Sequence, residues 1–374
     1  MKCLLLRSAA IMGLALAPFA PGSAAELCVQ LDAHTVVHGV LELPEQGAPD
    51  TALIIIPGTQ VGNRDGNPGD FGPGSVGVYQ ALASGLRRQG LAVARFDAPR
   101  RAPGVIGCDG SVGQGEPDPS LALQGEAVLK LTAQLRADGH YRRLAWLGHS
   151  QGGLVAAQLA QRHPRVVDAV FTYGMSLRPM REASRFGFVN LQLDAIRGLM
   201  GDACVDNAAL RQEPASAMLL RLNRPIEKWL SPSGRWCPNM LQLLQARAEA
   251  NMAPIFDPAN PCLHGAAMSG NAQLGNSCDE IRLFNSQDGV ASLLADYAGL
   301  VGIGMGGRDA LLERESEQRA FASFARAAPQ RRLFKLVDEG GHLLNRGGFI
   351  GPTDPALIDD YAGFVAASLR ATGQ

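Results

Sequence analysis

From residue 52 to residue 173 the chain alternates short, continuously apolar runs with longer amphipathic stretches, and few architectures accept that pattern. The apolar runs are Ala52-Leu-Ile-Ile-Ile-Pro57, Leu91-Ala-Val-Ala-Arg-Phe96, Arg143-Leu-Ala-Trp-Leu147 and residues 166–173. Each lacks a polar face and is short for a helix, as a strand covered on both sides of a parallel sheet requires. Between them, residues 76–88, 124–138 and 151–162 carry helical periodicity. Strands and helices in turn build βαβ units, so the expected fold class is α/β with a doubly wound, mostly parallel sheet. Ahead of it, alternation over residues 30–43 predicts two exposed-edge strands in a hairpin or meander.

The alternation stops at Ser176 and does not resume until residues 299–304 and 332–337, with a closing helix over 355–369. The interruption contains Cys204, Cys237, Cys262 and Cys278, together with Trp229 and Trp236. It is expected to be an inserted, disulfide-stapled lid over residues 176–296, leaving 26–175 and 297–374 as the main domain.

The first 25 residues have the layout of a secretory leader. Lys2 and Arg7 precede an apolar run over 8–20, and Ser23-Ala24-Ala25 offers a cleavage site. The run is shorter than the roughly 20 residues of a membrane span and is broken by Pro18, so no stable membrane anchor is expected. The chain should be exported, to the periplasm or beyond. Cleavage removes Cys3 and leaves Cys28, Cys108, Cys204, Cys237, Cys262 and Cys278, an even set suited to disulfides in an oxidising compartment. Sequence alone leaves the connectivity open. Proximity suggests Cys262 with Cys278 and Cys204 with Cys237, and elimination then joins Cys28 to Cys108. No Cys or His spacing suits a metal, and no cofactor is implied. With 34 basic against 35 acidic residues the chain lacks the basic excess of a nucleic-acid binder.

Gly148-His149-Ser150-Gln151-Gly152 lies between an expected strand and an expected helix. G-x-S-x-G alone is weak in a chain with 44 glycines, but strand, turn and helix together are what a nucleophile elbow needs. Ser150 is the candidate nucleophile. The helix N-terminus behind it favours developing negative charge.

A general base should come from a loop after the last strand. His342 stands there in Asp338-Glu-Gly-Gly-His342, whereas His34, His38, His140, His149, His163 and His264 are placed less well. Asp309, in Gly306-Gly-Arg-Asp309, follows the preceding strand and completes the order nucleophile, acid, base. Capping a helix over 310–319 is its alternative role. Asp296, Asp338 and Glu339 are rivals for the acid. One oxyanion donor should be the Gln151 N–H, and the other should lie in the loop after residue 57, at Thr59 or, failing that, Gln60.

Gly148-His-Ser-Gln-Gly-Gly153 with the order Ser150, Asp309, His342 resembles the α/β-hydrolase superfamily over nearly all of the mature chain except the lid. Gly58-Thr-Gln-Val-Gly-Asn-Arg-Asp-Gly-Asn67 and Ala94-Arg-Phe-Asp-Ala-Pro-Arg100 are similar to segments of a bacterial esterase group often labelled serine-aminopeptidase-like or dienelactone-hydrolase-like. Here Thr59-Gln60 replaces a small Ser-Gly pair, and no glycine follows Arg100. The resemblance implies an esterase fold with a cap after the sixth strand. Arg64, Asp65, Asp97 and Arg100 either brace the oxyanion loop or form solvated surface charge.

These residues together lead to the expectation of an exported serine hydrolase acting on a small-molecule ester through an acyl-enzyme. The alternatives are an aminopeptidase-like amide hydrolase and a non-catalytic binding protein on the same fold. The methionines and tryptophans of the lid serve either as an apolar wall for substrate or as the lid's own core.

Overall fold

A computed structural model describes residues 21–58, 63–67, 76–109, 115–118, 120–212, 226–264, 278–349 and 351–371. In chain order the main elements are β1 (Ala24–Asp32), β2 (Thr35–Glu42), β3 (Thr51–Ile56), α1 (Val78–Arg88), β4 (Ala92–Phe96), α2 (Leu121–Ala137), β5 (Arg143–His149), α3 (Gln151–Arg162) and β6 (Ala169–Tyr173). They continue as α4 (Met180–Met200), α5 (Leu241–Phe256), α6 (Cys278–Phe284), β7 (Leu300–Gly306), α7 (Arg314–Ala325), β8 (Arg332–Val337) and α8 (Pro355–Ala371).

The sheet runs β8-β7-β6-β5-β3-β4-β2, with β1 paired to β2 and two short strands near Arg100 and Glu116 beyond β2. From β8 to β4 every pairing is parallel, while β2 is antiparallel to both β1 and β4. Burial on both faces explains the apolar runs. In β3 the side chains of Ala52, Ile54 and Ile56 join the core under α2 and α3, while Leu53 and Ile55 join the core under α1 and α8. Each fully buried Leu or Ile contributes about 1.5–3 kcal/mol relative to exposure.

The early hairpin differs from the expectation in two ways. It starts at Ala24, ahead of residue 30, and β2 is an interior strand. Its residues Thr35 to Leu41 are all buried, and β4 pairs along one of its edges and β1 along the other.

Three disulfides join Cys28 to Cys108, Cys204 to Cys237 and Cys262 to Cys278. The first ties β1 to the segment after β4. The other two lie between β6 and β7, where the sheet is interrupted by α4, α5 and α6. Among the described residues no helix is long and apolar enough to cross a membrane.

Candidate active site

The chain leaves β5 and enters α3 with a single residue between them, Ser150. Two glycines permit the turn: a Cβ on Gly148 would run into the Gly152 carbonyl, and one on Gly152 would run into the carbonyls of Ile56 and Pro57. Ser150 itself sits at φ 51° and ψ −129°, a conformation that costs a non-glycine residue on the order of 1–3 kcal/mol. Its N–H donates to the Tyr173 carbonyl at 2.8 Å and its carbonyl accepts from Gly153 N–H at 2.8 Å, which holds the strained turn in place. Gln151 opens α3 directly behind it. Thr59 and Gln60, the expected sources of the second oxyanion donor, lie outside the described residues.

His342 and Asp309 meet below the surface. His342 Nδ1 lies 2.8 Å from Asp309 Oδ2, and both side chains are buried, at 4% and 0% exposure. A carboxylate can only accept, so Nδ1 carries the proton and the lone pair sits on Nε2. The other carboxylate oxygen of Asp309 accepts from Leu311 N–H at 2.9 Å. The expected helix over 310–319 does not begin there: α7 starts at Arg314, so Asp309 is not its cap. Among the rival acids, Asp338 and Glu339 pair with Arg314 and Arg308 in exposed ion pairs, and Asp296 is exposed.

Ser150 and His342 flank the same peptide. Tyr173 accepts the Ser150 N–H, and the next residue, Gly174, lies so close to the imidazole that a Cβ there would be 3.1 Å from His342 Nδ1 and Cε1. All five contributing segments leave the carboxyl ends of strands, β3 at Gly58, β5 at Ser150, β6 at Gly174, β7 at Asp309 and β8 at His342. A doubly wound sheet presents its ligand crevice at that edge.

The loop bearing His342 is braced by a residue that the sequence did not single out. Asn345, fully buried, accepts from Leu343 N–H and donates to the Gly347 carbonyl, while His342 N–H donates to the Gly348 carbonyl at 2.8 Å. Phe349 then packs its ring 5.0 Å from the imidazole. Nothing periodic marks Asn345, so only the folded loop reveals its role.

In the loop after β3, Arg64 grips Asp97 through its backbone and guanidinium and also meets Glu26 at 2.8 Å. Arg95 contacts Asp65 and Glu42. Arg64, Asp65 and Asp97 therefore belong to a bracing network, with Arg95, Glu42 and Glu26 added. Arg100 donates to the Gly115 carbonyl.

The segment between β6 and β7 rests on these loops through α4. Asn190 Nδ2 donates to the Ala310 carbonyl at 2.8 Å, and Gly187 abuts Leu311. Asp194 lies against Gly348. Partial desolvation raises the Asp194 carboxyl above its ordinary range; Arg197 opposes that shift and the charge of Asp309 adds to it. Trp229 and Trp236 face inward, packed with Leu193, Ile196, Met200 and Leu244, so they form this segment's own core. A cavity of about 190 Å³ opens between α4 and α5, lined by Arg181, Arg185, Val189, Glu249, Met252 and Phe256. Among the described residues no group of three or more His, Cys, Asp or Glu gathers as a metal would require.

His149, inside the elbow, is turned away from Ser150. Its Nδ1 meets Tyr79 Oη at 3.0 Å and its Nε2 meets the His342 carbonyl at 2.8 Å. Burial, reinforced by the neighbouring His342, pushes its pKa down to about 3 against an ordinary 6.5. The unfolded chain therefore binds one more proton than the native chain between these values, and native stability is lost as pH falls from about 6.5 toward 3. The slope approaches about 1.4 kcal/mol per pH unit for this group. Urea unfolding of wild type and His149→Gln at pH 7, 5.5 and 4.5 should show the gap between them shrinking with acidity. A gap independent of pH would show that His149 is not held neutral.

No family model matches the chain, and no curated protein matches it in sequence. Solved structures do. Est1E from Butyrivibrio proteoclasticus is 13% identical with a TM-score of 0.46, the match covering 92% of this chain and 99% of that one. Proline iminopeptidase from Mycobacterium smegmatis is 15% identical with a TM-score of 0.48, covering 93% and 98%. An esterase of Pyrococcus furiosus is 11% identical with a TM-score of 0.48, covering 93% and 91%.

Proposed function

We propose that the chain is an exported serine hydrolase that cleaves carboxylic esters through an acyl-enzyme. The observation that carries this reading is the buried His342–Asp309 pair at 2.8 Å, set beside a serine held in a strained strand-to-helix turn. In this reading the lone pair on His342 Nε2 takes the proton of Ser150 Oγ as that oxygen attacks the ester carbonyl. Asp309 keeps the other ring nitrogen protonated and stabilises the imidazolium that forms. The Gln151 N–H at the start of α3 serves the developing oxyanion, and the second donor comes from the loop after Gly58, at Thr59 or, failing that, Gln60. The imidazolium then protonates the leaving alcohol, and water, activated by the same base, releases the acid.

The accessory parts follow from the same reading. Residues 1–25 are the leader, and the three disulfides suit an oxidising destination, periplasmic or secreted. Residues 176–296 act as a lid, because α4 lies on the loops of Asp309 and His342.

One observation favours amide hydrolysis as a second reading: the Asp194 carboxylate, carried by α4 against Gly348, is suited to hold a free amine of a substrate. A chain-length series of p-nitrophenyl esters, measured beside aminoacyl p-nitroanilides, decides between the two. Ester cleavage should exceed anilide cleavage by at least 100-fold in kcat/KM. Preference for anilides, lost in Asp194→Asn, would replace the ester reading with the amide one.

A further inference from the structure

Tyr79 and His149 have no part in the proton transfers above, yet they occupy the centre of the site. We propose that they are positioning residues, forming one buried hydrogen-bond chain that sets the oxyanion loop and His342 at a fixed spacing. The proposal rests on the reading of Ser150, His342 and Asp309 as an acyl-transfer triad.

The direction of every bond in the chain is determined. A carbonyl only accepts, so His149 Nε2 carries the proton that it donates to the His342 carbonyl at 2.8 Å. The imidazole is neutral, which leaves Nδ1 as an acceptor, and Tyr79 O–H donates to it at 3.0 Å. The Tyr79 oxygen accepts in turn from Gly58 N–H at 2.7 Å. Tyr79, His149 and His342 are all buried, so water does not compete for these groups.

What lies at the two ends gives the chain its meaning. Gly58 begins the oxyanion loop and is packed on the elbow; a Cβ there would lie 2.9 Å from Ser150 Cβ. Tyr79 also holds the far side of that loop, because its N–H donates to the Asp65 carbonyl at 3.1 Å and its ring abuts Gly66. At the other end the chain grips the backbone of the base itself. The elbow supplies His149 from the position next to the nucleophile, so one rigid turn locates Ser150, the loop of the oxyanion donor and the loop of the base. A second charge at His149, whose ring lies 5.0 Å from that of His342, would oppose the imidazolium; the directed chain keeps His149 neutral.

The test uses the full chain and a p-nitrophenyl ester, with kcat expressed per site titrated to its endpoint by a fluorophosphonate probe, so that any unfolded fraction drops out. Tyr79→Phe keeps the ring and removes the hydroxyl; His149→Leu removes both ring nitrogens. Each should lower kcat 10- to 100-fold, equivalent to about 1.4–2.7 kcal/mol, since a misplacement of about 1 Å costs on the order of 10² in rate. KM should stay within about twofold, a split that general loosening of the fold would not give. The double variant should lose no more than the worse single one, because the chain acts as a unit. His149→Gln, whose carboxamide offers both an N–H donor and an acceptor, should recover most of the rate. Unchanged kcat in both single variants, or losses that multiply in the double, would overturn the proposal while leaving the triad intact. If wild type neither labels nor turns over ester, the triad reading falls and takes this proposal with it. Should Tyr79→Phe fail to fold, the ratio of His149→Gln to His149→Leu decides alone: a ratio near 1 overturns the proposal, and a ratio above about 5 supports it.

Discussion

Ser150→Ala is expected to lower kcat for ester hydrolysis by on the order of 10⁶-fold and to abolish covalent labelling by a fluorophosphonate, while the protein still folds. The hydroxyl is the only group removed. The backbone bonds that hold the elbow, from Ser150 N–H to Tyr173 and from Gly153 N–H to the Ser150 carbonyl, do not involve it. Alanine meets the same backbone strain at φ 51° that serine does. The thermal midpoint should therefore move by no more than a few degrees. Retention of a tenth or more of the wild-type turnover would remove Ser150 from the mechanism.

Asp309→Asn is the second large effect, a fall in kcat of about 10⁴-fold with little change in KM. The local geometry specifies the cause. One carboxylate oxygen of Asp309 accepts from Leu311 N–H, so the carboxamide oxygen of the variant will take that position and its NH₂ will face His342 Nδ1. A donor there forces the imidazole proton onto Nε2, and the lone pair that Ser150 needs is lost. Steady-state kinetics on an ester decide it. Turnover close to wild type would show that Asp309 orients nothing and that its contact with His342 is structural.

The strands and helices of the sheet were largely legible because each is determined by local pattern. The run Ala52 to Ile56 is apolar at every position, and only a strand buried on both faces uses such a run. The hairpin formed as expected, but its second strand was misread for the complementary reason. Alternation in residues 30–43 suggested one solvated face, but β4 pairs with β2 and buries its residues from Thr35 to Leu41. A strand's neighbours are a property of the sheet and not of the strand. The helix after Asp309 was placed four residues early, since a polar residue before an apolar stretch signals a cap whether or not the cap forms.

The candidate site divides in the same way. Ser150 was legible because the elbow is a local device in which strand, turn and helix follow one another along the chain. Tyr79, His149 and Asn345 were not, because their significance lies in partners that are distant in sequence or in a loop of no regular period. Tyr79 is 70 residues from His149, and His149 is 193 from His342. The His149 ring turns away from the neighbouring Ser150 and reaches the backbone of His342.

By itself, then, the sequence determined the doubly wound sheet, the elbow at Ser150 and the break that inserts a cystine-rich segment after β6, because periodicity, glycine placement and cysteine count are local and survive without a partner. It also ordered the three chemical groups along the chain. Only the tertiary structure decided that Asp309 and His342 meet at 2.8 Å, that the tryptophans of the insertion face their own core, and that His149 links the turn at Ser150 to the loop of His342. Those outcomes depend on which strand ends lie side by side and on which buried donor finds which acceptor. Burial makes an unpaired polar group costly, and the closed fold alone determines the pairing.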